Sequence, residues 1–300
     1  MISWITIIIL AYFFFSLSSL GDKLVLNYSK SPKLYVFWVG FLSLLVLLLI
    51  PFVGINLPST ESFLWIILTS LVFILGLYVL YSAVLRFEVS RVIPIVGALQ
   101  PIFILILSWI FFKEVIIKSN LLAFFILLIA SFIISFESKI KLNTKLIISS
   151  LLASLLVAFG FIFTKKVFLI QPFFQGIIWI GVFNFLFAIL FLIDSNLREQ
   201  IFVKKSAFRK KNIVLVAITQ SAGGIAGFLQ NIAIYLAPAS SLAIINVLRG
   251  IQYIFLFVIT LIFSIFLPKI IKEDISIGVI LQKLLSIILI GIGLSLLVLK

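Results

Sequence analysis

Arg249 is the residue whose type and position point most directly to chemistry. It stands in the middle of a long apolar run, with Asn246 three residues before it and Tyr253 four residues after it. On a helix these three side chains share one face. Arginine keeps its charge and binds carboxylate or phosphate through two parallel hydrogen bonds. We therefore predict that the three residues contact an anionic group of a substrate. The alternative is that Arg249 holds helices together through carbonyls and amides.

A second polar face recurs at helical spacing in an earlier apolar run and consists of Gln220, Gly223, Gly224, Gly227 and Asn231. Small residues usually let two membrane helices approach closely, so we predict packing roles for Gly223 and Gly227. Gln220 and Asn231 are predicted to contact the substrate, with an interhelical hydrogen bond as the alternative.

Proline and glycine mark a third helix face, where Pro94, Gly97 and Pro101 lie together. Pro101 removes a backbone donor and is predicted to kink the helix, a break that is tolerated where it lines a cavity. Gln100 beside it is a further substrate-binding candidate. Tyr78 is predicted to close the cavity together with Tyr12 and Tyr81, unless these tyrosines anchor the membrane interface.

The residue types that are missing exclude several kinds of site. The sequence contains neither cysteine nor histidine, which excludes disulfides and removes the usual ligands of zinc and haem. We therefore predict no metal and no cofactor. Paired carboxylates and a nucleophile beside a base are also missing from the apolar runs, so an enzyme is not expected.

The composition explains why the candidate residues stand in apolar runs. Of the 300 residues, 64% are hydrophobic and 11% are charged, and the mean hydropathy is +1.40. A soluble domain carries roughly 45–50% apolar and about 25% charged residues. Because one core of this size cannot bury so much apolar surface, we predict an integral membrane protein.

Apolar runs of about 20 residues are long enough to cross a bilayer as helices. The chain contains ten such runs with short gaps between them, so any function must lie within a helical bundle. The fold class is therefore predicted to be all-α and polytopic with ten transmembrane helices. The runs are 2–20, 34–52, 63–85, 92–112, 119–136, 146–164, 173–193, 212–236, 239–267 and 276–299.

The distribution of charge predicts the orientation of the chain. Lys and Arg number 23 against 9 Asp and Glu, a net charge of +14. Sixteen basic residues follow odd-numbered runs, and five lie in the other gaps and at the C-terminus. The positive-inside rule then places both termini on the outer side. Since the basic residues lie between runs, we interpret them as topology signals and anionic-lipid contacts, and no nucleic-acid partner is expected.

A shift of the chain by 151 residues reveals a weak internal repeat. It aligns three pairs in the same order: Gly76 with Gly227, Leu85 with Leu236, and Ser90 with Ser241. The predicted halves are 1–136 and 146–300, joined by the polar linker 137–145. Five spans in each half would invert the second half relative to the first, as is common in secondary transporters.

Three short segments accompany this organisation: Tyr-Ser-Ala-Val-Leu-Arg at 81–86, Leu-Gln-Pro at 99–101 and Phe-Lys-Glu at 112–114. Together they resemble the EamA-type family of the drug/metabolite transporter superfamily. The resemblance implies a ten-helix transporter of small metabolites, often amino acids, with spans 1, 3, 4, 6, 8 and 9 around the pathway. The chain departs from the pattern at Gln252, where the repeat would place the counterpart of Pro101. The family also usually keeps both termini in the cytoplasm, against the charge count.

The combined prediction is a secondary transporter that moves a small metabolite across the plasma (inner) membrane of a prokaryote by alternating access. An amino acid or related carboxylate is expected as substrate, and export as the direction. Because all nine acidic residues lie at or beyond the ends of the runs, we expect uniport or exchange. The substrate and membrane lipids are the expected partners of a monomer or homodimer. Two alternatives stay open: a flippase for a polyprenyl-phosphate-linked lipid, and a membrane receptor or structural protein.

Overall fold

The protein is helical throughout the residues that the structure, a computed structural model, describes. The structure describes the backbone of residues 3–26, 31–87, 89–114, 118–135, 143–203, 210–266 and 277–298. Within these ranges it does not describe the side chains of residues 20–26, 89–91, 118–119, 135, 203, 210–220, 263–266, 277, 279 and 298. The α-helices are α1 (Trp4–Leu26), α2 (Pro32–Leu42), α3 (Ile50–Val53), α4 (Thr60–Phe87), α5 (Val89–Phe112), α6 (Lys118–Ser135), α7 (Thr144–Ile170), α8 (Phe173–Ile189), α9 (Ser195–Arg198), α10 (Lys210–Leu236), α11 (Leu242–Val247), α12 (Gly250–Phe266) and α13 (Ile277–Val298). Tighter 3₁₀ turns occupy Ser43–Leu49, Leu190–Ile193 and Ala239–Ser241, and a wider π-helical turn occupies Glu199–Val203.

Within the described residues, seven helical stretches are long and apolar enough to cross a membrane: Pro32–Val53, Thr60–Phe87, Val92–Phe112, Thr144–Ile170, Phe173–Ile193, Ala239–Ile262 and Ile280–Leu297. Two shorter apolar helices are Trp4–Ser19 and Asn120–Ile134. The all-helical fold class is therefore confirmed. The arrangement of ten membrane helices in two inverted halves stays a prediction.

Three predicted runs differ from the helices observed. The first run continues past residue 20 to Leu26. The run predicted to stop before Lys165 continues to Ile170, because backbone carbonyls at the end of α10 and just after it accept hydrogen bonds from the lysine and compensate its buried charge. The run 239–267 is not one continuous helix, since it is interrupted between α11 and α12.

Local signals at helix ends explain where two of the helices start. The Asn143 side chain accepts a hydrogen bond from Leu146 N at 2.8 Å and so satisfies one of the free amides at the start of α7. Ser31 does the same for Leu34 N, and Pro32 occupies the first turn of α2, where its missing N–H costs nothing.

The helices pack in pairs that bring distant parts of the chain together. α1 packs on α10 and α12, α4 on α7, and α6 on α12 and α13, while α5 contacts both α7 and α11. α2 packs on α8, where Gly40 is so close to Ala188 that a Cβ would overlap it. This packing surrounds the interrupted segment α11–α12 with α1, α5 and α6.

Candidate functional site

The helix that carries Arg249 is interrupted at that residue. α11 ends at Val247 and α12 begins at Gly250. At the interruption the amides of Arg249, Ile251 and Gln252 donate to the carbonyl three residues back, at 2.9–3.1 Å, instead of four residues back. Non-helical backbone at membrane depth is tolerated where other groups satisfy it or where it lines a cavity.

Side chains from two other helices satisfy the carbonyls that the interruption leaves free. The Tyr12 hydroxyl of α1 donates to Ile245 O at 2.6 Å, and Ser131 Oγ of α6 donates to Val247 O at 2.8 Å. Gly250 allows this approach, because a Cβ there would overlap Ser131 Oγ. The break is therefore a built feature of the fold, held by side chains on both sides.

The Arg249 guanidinium is bound to a neutral partner. Its Nη1 donates to Gln100 Oε1 of α5 at 3.2 Å. The phenols of Tyr12 and Tyr253 lie close enough for electrostatic interaction with the same guanidinium. In the part of the chain that the structure describes, no carboxylate forms an ion pair with Arg249. The positive charge is thus left without a compensating negative charge.

Two further donors near Arg249 lack acceptors. Gln100 is 1% exposed and Asn246 is 2% exposed, and neither Gln100 Nε2 nor Asn246 Nδ2 has a hydrogen-bond partner. A buried donor without an acceptor costs about 1–3 kcal/mol. A Cβ on Gly97 would stand 3.7 Å from the Tyr253 hydroxyl, which places that hydroxyl against α5. The arrangement offers hydrogen-bond donors and one positive charge, and is suited to a carboxylate or phosphate.

The structure brings together part of the predicted substrate set. Arg249, Asn246, Tyr253 and Gln100 lie at the interruption, with Gly97 beside them. Asn231 donates its amide to Gly227 O of its own helix at 3.0 Å, and Tyr78 packs its ring 5.4 Å from that of Phe191 in a separate cluster. The structure does not join either residue to Arg249. The side chain of Gln220 lies outside the described residues.

The glycines predicted to pack helices and the prolines predicted to kink one lie in different surroundings. A Cβ on Gly223 would stand 2.9 Å from Ser18 Oγ, so this glycine does permit close packing of α10 on α1. A Cβ on Gly227 would meet no atom within 4 Å, so the described residues show no close neighbour at this glycine, and its packing role stays a prediction. Pro94 and Pro101 are buried inside α5, which runs through both positions as one helix.

Sequence reasoning missed some of the residues that build this site. Ser131 gave no signal, since a serine in an apolar run usually bonds within its own helix. Tyr12 was expected to close a cavity, but its hydroxyl is committed to a backbone carbonyl. Gln252 was noted only as a departure from the repeat, and its amide donates to Ser19 Oγ of α1 at 3.0 Å.

A surface groove of about 400 Å³ lies at the far end of α5, apart from these residues. Its mainly apolar wall includes Trp109, and its polar lining includes Ser108, Glu114 and Ser240. None of the predicted substrate-binding residues lines it.

Comparisons with known proteins agree with this architecture. The model of the EamA-like transporter family matches residues 2–136, while the curated proteins give no match. A solved structure titled only "Crystal structure of protein" superposes with a TM-score of 0.67 over 97% of this chain and 99% of its own, at 13% identity. That similarity shows a shared fold. EamA-like proteins are membrane transporters rather than enzymes. Residues 2–136 therefore match the EamA-like transporter family, which is part of the drug/metabolite transporter superfamily, and the chain is an integral membrane protein.

Proposed function

We propose that this protein is a secondary transporter that exports a small metabolite carrying a carboxylate, an amino acid or a related acid, across a prokaryotic plasma membrane. Transport proceeds by alternating access, as uniport or exchange. The match of residues 2–136 to the EamA-like transporter family supports a transporter. The substrate class follows from the residues around Arg249.

One observation carries the proposal: Arg249 stands at a helix interruption and is hydrogen-bonded to the neutral Gln100. An unpaired charge inside a membrane is expensive and marks a functional site by default. A structural arginine would be expected to use its donors on backbone carbonyls or a carboxylate. A substrate carboxylate would instead supply acceptors for the guanidinium and for the unpaired amides of Gln100 and Asn246.

The packing supports two related halves. α1 packs on α10, and α4 packs on α7, so the first membrane helix of each proposed half contacts the third of the other. α2 packs on α8, α5 on α11 and α6 on α13, which pairs corresponding helices of the two halves. Such reciprocal contacts are expected of halves related by a pseudo-two-fold axis. The family match also ends at residue 136, where the first half is proposed to end.

Counterflow in proteoliposomes tests the proposal. Vesicles are loaded with a mixture of amino acids and phosphorylated metabolites, and wild-type protein is compared with Arg249→Gln. We expect accelerated exchange of a carboxylate-bearing solute by the wild type alone. Arg198→Gln, which makes the same change at an exposed position on α9, is the matched control and should exchange like the wild type.

Two outcomes would overturn the proposal. If folded wild-type protein exchanges no member of the mixture, a small-metabolite carrier is contradicted, and transbilayer movement of a polyprenyl-phosphate-linked lipid becomes the next assay. If Arg249→Gln exchanges like the wild type, the protein stays a carrier, but Arg249 is a helix contact and the carboxylate assignment loses its support.

A further inference from the structure

Lys165 is a buried cation that the proposed substrate site does not use. It lies on α7 and is 4% exposed. Its Nζ donates to two backbone carbonyls in the last turn of α10, those of Ile234 and Tyr235 at 3.0 Å, and to that of Ala237, directly after the helix, at 2.6 Å. The last carbonyls of a helix lack amide partners and carry the negative end of the helix dipole. These carbonyls therefore compensate the buried charge in place of a carboxylate.

Residues from the N-terminal half of the chain also contact the turn that follows α10. Glu114 Oε2 accepts a hydrogen bond from Ser240 N at 2.7 Å, and Ser108 Oγ of α5 donates to Ala239 O at 2.8 Å. Lys113 follows the end of α5 and has a left-handed φ of 58°, and Glu114 comes directly after it. The turn 237–241 is thus bonded both to a lysine and to a glutamate.

This turn leads directly into the substrate site. α11 starts at Leu242, carries Asn246 and ends two residues before Arg249, so we expect a displacement of the turn to be passed to this six-residue helix and to the interruption. The same end of the bundle carries another contact between the two halves of the chain. Gln171, six residues after Lys165, donates to Ser62 Oγ at 2.6 Å. The end of the bundle at which α10 meets α11 is therefore closed by polar contacts.

We propose that Lys165 and Glu114 form a latch on the turn 237–241 and that this latch closes one end of the transport pathway. Opening of that end requires the Glu114–Ser240 hydrogen bond to break and the turn to leave Lys165. Lys165 is thus a positioning residue for α11 and does not touch the substrate. The proposal rests on the proposed function, because it assigns a gate to an alternating-access carrier.

The absence of cysteine from the chain makes a direct test possible. Ser240→Cys places a single thiol in the turn, and Ala243→Cys places one at a position on α11 that is 1% exposed. Each is combined with Lys165→Met, Glu114→Met or Lys165→Arg in permeabilised proteoliposomes, and the rate of reaction with a charged maleimide is measured. Losing a hydrogen bond to a charged group should raise the rate at both thiols by about tenfold or more in Lys165→Met and Glu114→Met, neither of which keeps a donor or acceptor there. Lys165→Arg, which keeps the charge and the donors, should restore slow labelling.

Ser195→Cys on α9 is the control thiol, and its rate should stay unchanged or fall in the same backgrounds. Unchanged labelling at Ser240→Cys in either latch variant would overturn the proposal, provided that its thermal unfolding shows a folded protein. A rise at Ser240→Cys with Ala243→Cys still protected would also overturn it, because only the turn would have frayed. Glu114 is exposed, so Glu114→Met serves if Lys165→Met does not fold. The assay needs no substrate, so its result is separate from that of the counterflow experiment.

Discussion

Arg249 donates a hydrogen bond of 3.2 Å from its guanidinium to the neutral side-chain amide oxygen of Gln100. The two residues are 149 positions apart in the chain: Arg249 lies at the break between α11 and α12, and Gln100 lies on α5. The amide oxygen orients the guanidinium but brings no negative charge. The remaining amide of Gln100 has no acceptor of its own. The pair therefore holds an arginine in a fixed position while its charge stays available to a ligand.

Gln100→Glu should place a carboxylate of the protein where the substrate carboxylate is proposed to bind. The new carboxylate would form an ion pair with Arg249 and compete with a substrate carboxylate for the same donors. We expect the apparent affinity for substrate in counterflow to fall by about tenfold or more, with no loss of thermal stability. Gln100→Met, of similar volume but without donor or acceptor, separates the effect of charge from that of shape. Unchanged affinity in Gln100→Glu would mean that Arg249 does not bind the substrate.

Part of the candidate site was predictable because its residues differ from their surroundings, although Asn246 and Tyr253 lie on two helices and not on one face of a continuous helix. Arg249, Asn246 and Tyr253 follow helical spacing, and a charge in an apolar run is conspicuous. Gln100 was found by its polarity alone, and its bond to Arg249 depends on how α5 packs against the interrupted helix. Nothing in the sequence sets that packing apart.

The helix boundaries show where local reasoning fails. An isolated lysine is costly in a membrane, so the sequence predicts that the run ends before Lys165. Its cost is removed by carbonyls about 70 positions away in the chain, so α7 continues past it. Likewise, the run around Arg249 contains no proline to announce a break, and the interruption depends on Tyr12 and Ser131 from other helices.

Tyr12→Phe should destabilise the interruption. The substitution keeps the ring, which is fully buried, but leaves Ile245 O without the hydroxyl that donates to it. We expect the free energy of unfolding to fall by about 1–2 kcal/mol, measured by denaturant unfolding in detergent. Tyr235→Phe is the matched control, since its ring is 41% exposed, and it should change stability by less than about 0.5 kcal/mol. An equal loss in both variants would contradict a special role for the Tyr12 hydroxyl.

Alanine at two glycines should have opposite effects. A Cβ at Gly250 would overlap Ser131 Oγ and stand 3.1 Å from Ile290 Cδ1, so Gly250→Ala should cost about 1–3 kcal/mol. Gly227 lies within α10 and has no atom within 4 Å of an added Cβ, so Gly227→Ala should gain about 0.5–1 kcal/mol from helix propensity. Thermal unfolding of the two variants side by side measures both signs. Stabilisation by Gly250→Ala would mean that Ser131 does not approach the interruption so closely.

Acid should weaken the contact between Lys33 and Asp194, which joins the start of α2 to the residue before α9. The hydrogen bond from Lys33 Nζ, with a smaller contribution from the Asn196 amide, lowers the pKa of the Asp194 carboxyl below its ordinary value. A lowered pKa means that the contact stabilises the fold fully above the ordinary aspartate pKa of about 3.9 and that this stability is lost as the pH falls through the folded pKa.

Asp194→Asn should therefore reduce stability at pH 7 and flatten its dependence on pH below about 4. Lys33→Met should remove most of the dependence, because the Asn196 amide still lowers the pKa of Asp194, and the double variant should be no worse than Asp194→Asn. An acid profile of Asp194→Asn that parallels the wild type would show that another carboxyl governs this transition.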